Sequence, residues 1–502
     1  MAVRIARWTP YDADVIVAGG GPAGAAAAYH LARAGLSALL LDRAEFPRDK
    51  VCGDFVGPVA LVELQDLGVS QLAEYHTTNV ARRAALYLHG RELISRPFPE
   101  ISGLPTYGRV IPRMALDKWI LDAARRAGVR VIESCQLVSF ASGTDAVTVD
   151  VRAPAGQLTL MSKLLIGADG SSSAAARVMR GAPPPRNDRI VAVRAYFENV
   201  AGPDDQLDLY FTSESFPGYY WLFPTGRGCA NVGLGLALET LPVHGNTPGA
   251  ILTRAIERDS ALARRLAGAR LCGKITGWPL MTYNPRLPIV ADRVMLVGDA
   301  AGLINPLNGE GIQYALLSAR WAAWAAAGCA MRDDFSRSAL SAYAGRVEHE
   351  LRYDMALARL IIQLITNRAL NPVWLKALKI IAGRARLDHE YARVTGGILA
   401  GLVPASDAIS LRIIGGTIEQ AAVSLGISAA LAAFSGPSGF LGPGIEAAQI
   451  GFQLAHDAAR NPEAFAAWIV RVATDAMELA RQASWRALTS PSSLSVNVRV
   501  VQ

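Results

Sequence analysis

The stretch Asp14–Arg43, DVIVAGGGPAGAAAAYHLARAGLSALLLDR, constrains this chain more than any other. Its apolar start, Val15 to Ala18, reads as a buried strand. Gly19, Gly21 and Gly24 follow in G-x-G-x-x-G spacing, with Pro22 and Ala23 between the last two. The alanine-rich run Ala25 to Ala34 reads as a helix closed by Gly35, and Ala38 to Leu41 as a second strand. Asp42 ends that strand twenty-three residues after Gly19, with Arg43 beside it. Each part has a physical task. The first glycine permits a tight turn, the second lets the backbone approach a pyrophosphate, and the third lets helix and strand pack closely. The helix N-terminus offers N–H groups and a positive dipole to an anion, and an acid at the position of Asp42 suits an adenosine ribose. The unit predicts a strand–helix–strand dinucleotide site and leaves open which dinucleotide it holds.

A chain of 502 residues is too long for one ordinary core, so two or three domains are expected. Apolar residues make up 51% and charged residues 19%, rich for a soluble protein. Met1 to Pro10 has Arg4 and Arg7 but no apolar core, so no signal peptide is expected there. Cys52, Cys135, Cys229, Cys272 and Cys329 are scattered, as are the seven histidines. That usage predicts free thiols in a reducing cytoplasm and no metal site. Despite a net charge of +7, no aromatic-basic interleaving points to nucleic acid.

Strand-like and helix-like patterns alternate from Asp14 to about Gly328, with a break at Pro183-Pro184-Pro185 and a strand-rich block at Ala192 to Leu238. Residues 336–400 and 404–487 read as successive helices, interrupted at Asn371-Pro372, Gly396-Gly397 and Ser435 to Gly444. Ala421 to Ile445 carries no charge, but its glycines and prolines favour a buried helix and a loop over a membrane span. Leu488 to Gln502 reads as a tail with one strand at most. The expected fold class is α/β. A Rossmann-type domain spans residues 12–190 and 270–330, interleaved with a β-sheet substrate domain at 191–269 and parts of 80–110. A helical region follows at 331–400, and a further one at 401–502.

Three more motifs bear on the ligand. Leu164 to Arg177, LLIGADGSSSAAAR, is a strand ending in Asp169-Gly170. Val294 to Tyr314, VMLVGDAAGLINPLNGEGIQY, is a strand ending in Gly298-Asp299, followed by Pro306, Gly309, Gly311 and Ile312 at the start of a helix. Arg109 to Ala124 places Arg113 before an amphipathic helix. In this order the set resembles the FAD-binding signatures of the class A flavoprotein monooxygenase and geranylgeranyl reductase superfamily, over roughly residues 12–385. The resemblance implies Asp299 at the ribityl or pyrophosphate region and Asp169 in a turn beside the cofactor. It also implies Arg113 near the phosphates, and Gly311-Ile312 presenting a helix N-terminus to the flavin N1/O2 edge. The arginine expected soon after the Asp169-Gly170 turn falls only at Arg177, which departs from the pattern.

Phe46 to Asp54, FPRDKVCGD, and Gly218 to Gly235, GYYWLFPTGRGCANVGLG, narrow the resemblance to the geranylgeranyl reductase and menaquinone reductase branch. It implies that Cys52-Gly53 lies near the isoalloxazine and that Tyr219 and Trp221 face the substrate. On a strand Tyr219, Trp221 and Phe223 share one face and Tyr220 takes the other. The implied function is FAD-dependent reduction of a carbon–carbon double bond in a hydrophobic isoprenoid, by hydride transfer from flavin N5. Electrons would come from NAD(P)H or a ferredoxin-like donor. Cys52, Asp54 and water are the proton-donor candidates, so Cys52, Asp54, Tyr219 and Trp221 form the candidate catalytic set. The alternatives are a monooxygenase or, with less support from Tyr219, Phe223 and Cys52-Gly53-Asp54, a halogenase on the same scaffold. A flavin-binding scaffold without catalysis is a further rival. Residues 351–400 hold eight Lys/Arg against three Asp/Glu, and 355–387 read as a basic amphipathic segment. It would either cover the substrate domain or make a peripheral contact at the inner face of the cell membrane. Oligomeric state is not readable from the sequence.

Overall fold

Val15, Ile16 and Val17 are fully buried because the strand Ala13–Ala18 lies between two parallel neighbours, Ala38–Leu41 and Gly156–Gly167. The computed structural model describes residues 11–183, 185–240, 247–403, 407, 410, 412–421, 449 and 451–489. The parallel core extends to Val294–Leu296 on one side and Arg130–Ile132 on the other, within an eight-stranded sheet. Helix Pro22–Arg33 starts with proline in its first turn, and Gly35 at φ +85° follows its end. Ala25 to Ala28 are fully buried, and these small side chains let helices Arg113–Arg126 and Ile312–Arg332 pack close to it.

A second, seven-stranded sheet runs in the order Arg270–Met281, Arg189–Glu198, Cys229–Ala237, Tyr219–Gly226, Gln206–Phe211, Arg83–Leu88, Arg91–Pro97. One face packs on helices Pro248–Arg258 and Ser260–Arg265, with Tyr210, Tyr220 and Leu222 in that core. The alternate side chains, Leu207, Leu209, Phe211, Tyr219, Trp221 and Phe223, point to a large cavity. Strand Arg270–Met281 pairs antiparallel with Arg189–Glu198, so this sheet takes a segment that the sequence reading assigned to the Rossmann part. Its pattern is half-exposed, and only its partner strand reveals where it belongs.

Helices Arg337–Ile365, Asn371–Leu387, His389–Leu399 and Pro462–Thr489 follow. The interruption expected at Asn371-Pro372 is present: one helix ends at Ile365 and the next begins at Asn371, with proline in its first turn. The expected interruption at Gly396-Gly397 is absent. Helix His389–Leu399 runs through both glycines, and Gly397 serves packing: a Cβ there would come within 2.4 Å of Val403 Cγ2. Most apolar side chains of 355–387 turn inward: Ile361, Ile365, Trp374, Leu375 and Leu378 pack against Leu88 and Phe211 of the second sheet and Phe216 in the loop between two of its strands. No helix among the described residues is long and apolar enough to cross a membrane. Most of the uncharged stretch 421–445, the Gly/Pro stretch 435–444 and the tail from 490 lie outside the described residues.

Candidate active site

A cavity of about 1150 Å³ lies between the two sheets and under the helices. At one end, the Gly19–Gly24 turn forms its wall. Gly19 stands at φ +108°, and a Cβ there would lie 2.3 Å from the carbonyl oxygen of Ala168. At Gly24 it would lie 1.8 Å from the Gly19 carbonyl oxygen, so this glycine is required for the helix to seat on the turn. No side chain caps the helix N-terminus at Gly21. Asp42 accepts the Gly20 N–H at 2.6 Å and the Ala44 N–H at 2.8 Å, which fixes its carboxylate at the mouth of the turn.

Gly19, Gly21, Pro22, Ala23, Asp42, Arg43, Cys52, Gly53, Arg113, Asp169, Gly170, Asp299, Pro306, Gly309, Gly311 and Ile312 all line this one cavity. Gly24 and Gly298 sit just behind it as packing positions, Gly298 against Ala23 and Ala315. The two Asp/Gly motifs meet across the cavity floor, where the Ser171 hydroxyl donates to Asp299 at 3.0 Å. Asp169 caps the next helix, accepting the N–H groups of Ala174 and Ala175 at 2.6 and 3.2 Å. Arg113 is bound in a bidentate pair with buried Asp117, at 2.6 and 2.8 Å, which also receives Arg48 at 3.1 Å. Burial opposes the Arg113 charge, but Asp117 outweighs it and holds the guanidinium firmly protonated.

Tyr219, Trp221 and Cys52 line the cavity. The Tyr219 hydroxyl donates to the Asn308 carbonyl at 2.6 Å, tying the second sheet to the loop before helix Ile312–Arg332. Trp221 and Phe223 stack with centroids 6.2 Å apart, and Gly53 packs on both. Trp221 also lies over the adjoining strand: it stands opposite Gly233, where a Cβ would be 2.2 Å from the indole. The Cys52 sulfur accepts the Asp54 N–H at 3.3 Å. Burial pushes the Cys52 thiol up, against the pull of Arg113.

Asp54 does not face the cavity. It is fully buried behind it, at φ +64°, where Oδ2 accepts the Tyr196 hydroxyl at 2.6 Å and the Asn231 amide at 2.8 Å. Its other oxygen, Oδ1, is buried without a hydrogen bond, and burial raises the carboxyl to about 6 despite those two donors. This corrects its candidacy as a proton donor to the substrate, because Cys52-Gly53 stands between it and the open space. Asn231 was quoted only as part of a motif, yet it links the whole wall. Its amide donates to the Cys52 carbonyl at 2.8 Å and to Asp54, while its oxygen accepts the Trp221 indole N–H at 2.9 Å. A lone amide in the apolar strand CANVGLGLA was the signal.

Two further groups escaped the sequence reading. Lys50 lines the cavity with a buried Nζ that makes no hydrogen bond and sits 4.3 Å from the centroid of Trp278. Burial lowers it to about 8, with Asp299 pulling the other way. Glu310 also lines the cavity, between Gly309 and Gly311, and burial raises it to about 7. Only their places beside the motifs hinted at either. Beyond the aromatic strip the wall turns apolar, with Leu86, Phe98, Leu209, Ile361, Trp374 and Leu378.

Residues 12–236 match the family described as FAD binding domain. Menaquinone reductase of Mycobacterium tuberculosis (strain ATCC 25618 / H37Rv) is 33% identical over 324 residues, 62% of this chain and 76% of that protein. Digeranylgeranylglycerophospholipid reductase 2 of Methanopyrus kandleri is 29% identical over 381 residues, 71% of this chain and 88% of that protein. Among solved structures, a geranylgeranyl bacteriochlorophyll reductase-like protein from Thermoplasma acidophilum has the same fold. Its TM-score is 0.63 at 24% identity, covering 81% of this chain and 95% of that one.

Proposed function

This chain belongs to the geranylgeranyl reductase and menaquinone reductase branch of the FAD-dependent oxidoreductases, with FAD as its cofactor, and on that premise we propose that it saturates a carbon–carbon double bond in an isoprenoid chain. The continuity of the cavity carries the reading. One unbroken space runs from Gly21 and Asp42, past Cys52 and Trp221, to the apolar wall at Ile361, Trp374 and Leu378. Such a space suits a dinucleotide at one end and a long apolar chain at the other. The names of the two relatives, for menaquinone and for digeranylgeranylglycerophospholipid, fit the same substrate class.

The residues present fit the cofactor. An uncapped helix N-terminus at Gly21 and the buried ammonium of Lys50, which makes no hydrogen bond, are both satisfied by an anionic dinucleotide. In this reading Gly19, Gly21, Pro22, Ala23 and Gly24 shape the pyrophosphate turn, and Asp42 with Arg43 takes the ribose. Arg113, Asp169, Gly170, Gly298 and Asp299 shape the middle of the site. Cys52, Gly53, Pro306, Gly309, Gly311 and Ile312 border the flavin end. Residues 12–188 without strands Arg83–Leu88 and Arg91–Pro97, and the segment after Met281, make the cofactor part, and the seven-stranded sheet makes the substrate part.

Reduced FAD supplies a hydride at N5, and its electrons come from NAD(P)H or a ferredoxin-like donor. The protein's part is to align the double bond along Tyr219 and Trp221 and to keep water from the apolar arm. Lys376, Lys379 and Arg386 lie on the exposed side of helix Asn371–Leu387 while its apolar side packs on the sheet, which suits an electrostatic peripheral contact with an anionic membrane surface. Failure to float with anionic vesicles at low salt overturns that contact.

The test is anaerobic. Enzyme with its flavin chemically reduced is mixed with prenyl lipids while the flavin absorbance is followed. Reoxidation, with a product heavier by two hydrogens, is expected. Reoxidation that needs oxygen and adds an oxygen atom overturns the reading in favour of a monooxygenase.

A further inference from the structure

We propose that Glu310 supplies the proton taken up when the double bond is saturated, a role that rests on the reductase reading above. Six carboxylates among the described residues line the cavity: Asp42, Asp49, Asp169, Glu239, Asp299 and Glu310. Five are engaged. Asp42 holds two backbone N–H groups, Asp49 pairs with Arg194, and Asp169 caps a helix. Asp299 accepts the Ser171 hydroxyl, and Glu239 pairs with Arg471 at 3.3 Å. Glu310 is different. Its carboxyl accepts backbone N–H groups alone, from Gln313 at 3.2 Å and from Ile312, and no side-chain donor, lysine or arginine acts on it.

Its position suits the task. Glycines on both sides leave the carboxyl open to the cavity, and the Glu310 N–H is fixed by the Asn308 side chain at 2.9 Å. The Asn308 carbonyl takes the Tyr219 hydroxyl, so Glu310 and the aromatic strip border the same stretch of cavity. The titratable groups around it are Tyr219 from the sheet and Tyr314 on the following helix. Asp299 lies beside Gly311, and Cys52 acts on Tyr219 from across the cavity. All four are acids, and none favours an ionised neighbour. Burial keeps a large share of Glu310 protonated at neutral pH.

The reaction balances. Hydride from the reduced flavin forms one new C–H bond and the carboxyl proton forms the other, using the π pair of the alkene. The flavin is oxidised by two electrons and the alkene is reduced by two. The O–H bond of Glu310 breaks, and the carboxylate left behind sits at the N-terminus of helix Ile312–Arg332, whose Gln313 N–H and dipole receive the charge. Solvent returns the proton before the next turnover. Cys52 is the rival donor on this wall.

Glu310→Gln, Glu310→Asp and Cys52→Ala in the FAD-loaded enzyme test this, with a geranylgeranyl lipid in detergent as probe. The expected Glu310→Gln enzyme keeps wild-type FAD content and visible spectrum. Its anaerobic reoxidation is about a hundredfold slower or worse. In infrared difference spectra it lacks a protonated-carboxyl band that titrates near neutrality in the wild type. Glu310→Asp restores part of the rate, and also serves if the glutamine variant loses FAD. Cys52→Ala keeps the band. A Glu310→Gln enzyme that reoxidises at the wild-type rate, or retains the band, overturns the proposal. Wild-type enzyme that does not reoxidise with the lipid takes down the reductase reading and this role with it, even where the band is present.

Discussion

The indole N–H of Trp221 is held by the side-chain oxygen of Asn231, 2.9 Å away on the adjoining strand. The same amide reaches the Cys52 carbonyl and Asp54, so one side chain joins the aromatic strip to the Cys52-Gly53 turn. Asn231 and Cys52 are 179 residues apart in the chain, and the fully buried amide joins their two segments in one wall.

Asn231→Ala therefore leaves the indole N–H, a carbonyl and a carboxylate oxygen each short of a partner. We expect a loss of about 3 kcal/mol in chemical denaturation, since each buried unpaired group costs about 1–3 kcal/mol. An unchanged midpoint would show that the wall does not depend on this residue.

Asp54 gives the enzyme a pH dependence of definite sign. Burial favours the neutral acid in the folded chain, raising it from 3.8 to about 6. Between those values the folded state binds more protons than the unfolded chain, so stability falls as pH rises from about 4 to about 6 and stays lower above. A shift of this size corresponds to about 3 kcal/mol. Asp54→Asn, a residue that tolerates the left-handed backbone, should lose this component. Urea midpoints compared across that range check it; parallel curves for the two proteins refute it.

The glycines of the opening turn separate fold from cofactor. Gly24→Ala drives a methyl into the Gly19 carbonyl and should lower both stability and FAD affinity. Gly21→Ala meets only the Nη2 of Arg48, at 3.3 Å, a flexible end that can move. That variant should keep the wild-type denaturation midpoint yet bind FAD about tenfold more weakly or worse, in a flavin-fluorescence titration. Equal effects from the two changes contradict this division.

Arg359 secures the last described helix. It is buried, bonded to Asp475 at 3.0 Å on Pro462–Thr489 and to Asp188 beside the second sheet. Removing one member of a buried ion pair costs about 3–5 kcal/mol, so Arg359→Ala should be strongly destabilised. Cleavage by a protease between 449 and 489 should quicken before the rest of the chain is cut. Wild-type proteolysis kinetics would show that the helix is held by other contacts.

The Gly19–Asp42 unit was legible because it is local. A strand, a turn, a helix and a strand lie in thirty residues, and their spacing is set by backbone geometry. The alternation of Tyr219, Tyr220, Trp221 and Phe223 was legible for the same reason, with Tyr220 in the core and the others on the cavity. What surrounds a residue was not. Asp54 reads as an active-site acid until the fold places Gly53 in front of it and Tyr196 and Asn231 around it. The segment 355–387 shows an apolar face in sequence, but only packing reveals that this face roofs the cavity. Arg359, Asp188 and Asp475 meet across 287 positions of chain, a distance that carries no periodic signal.

The packing of the Trp221 indole on Gly233 bears on the histories open to this protein. A side chain at 233 is excluded twice, by the indole and by the Val193 carbonyl oxygen, which its Cβ would approach to 2.5 Å. A smaller residue at 221 therefore leaves a hollow that no side chain at 233 can enter to fill. A lineage that reshapes the substrate end of the cavity does so with 233 held at glycine throughout.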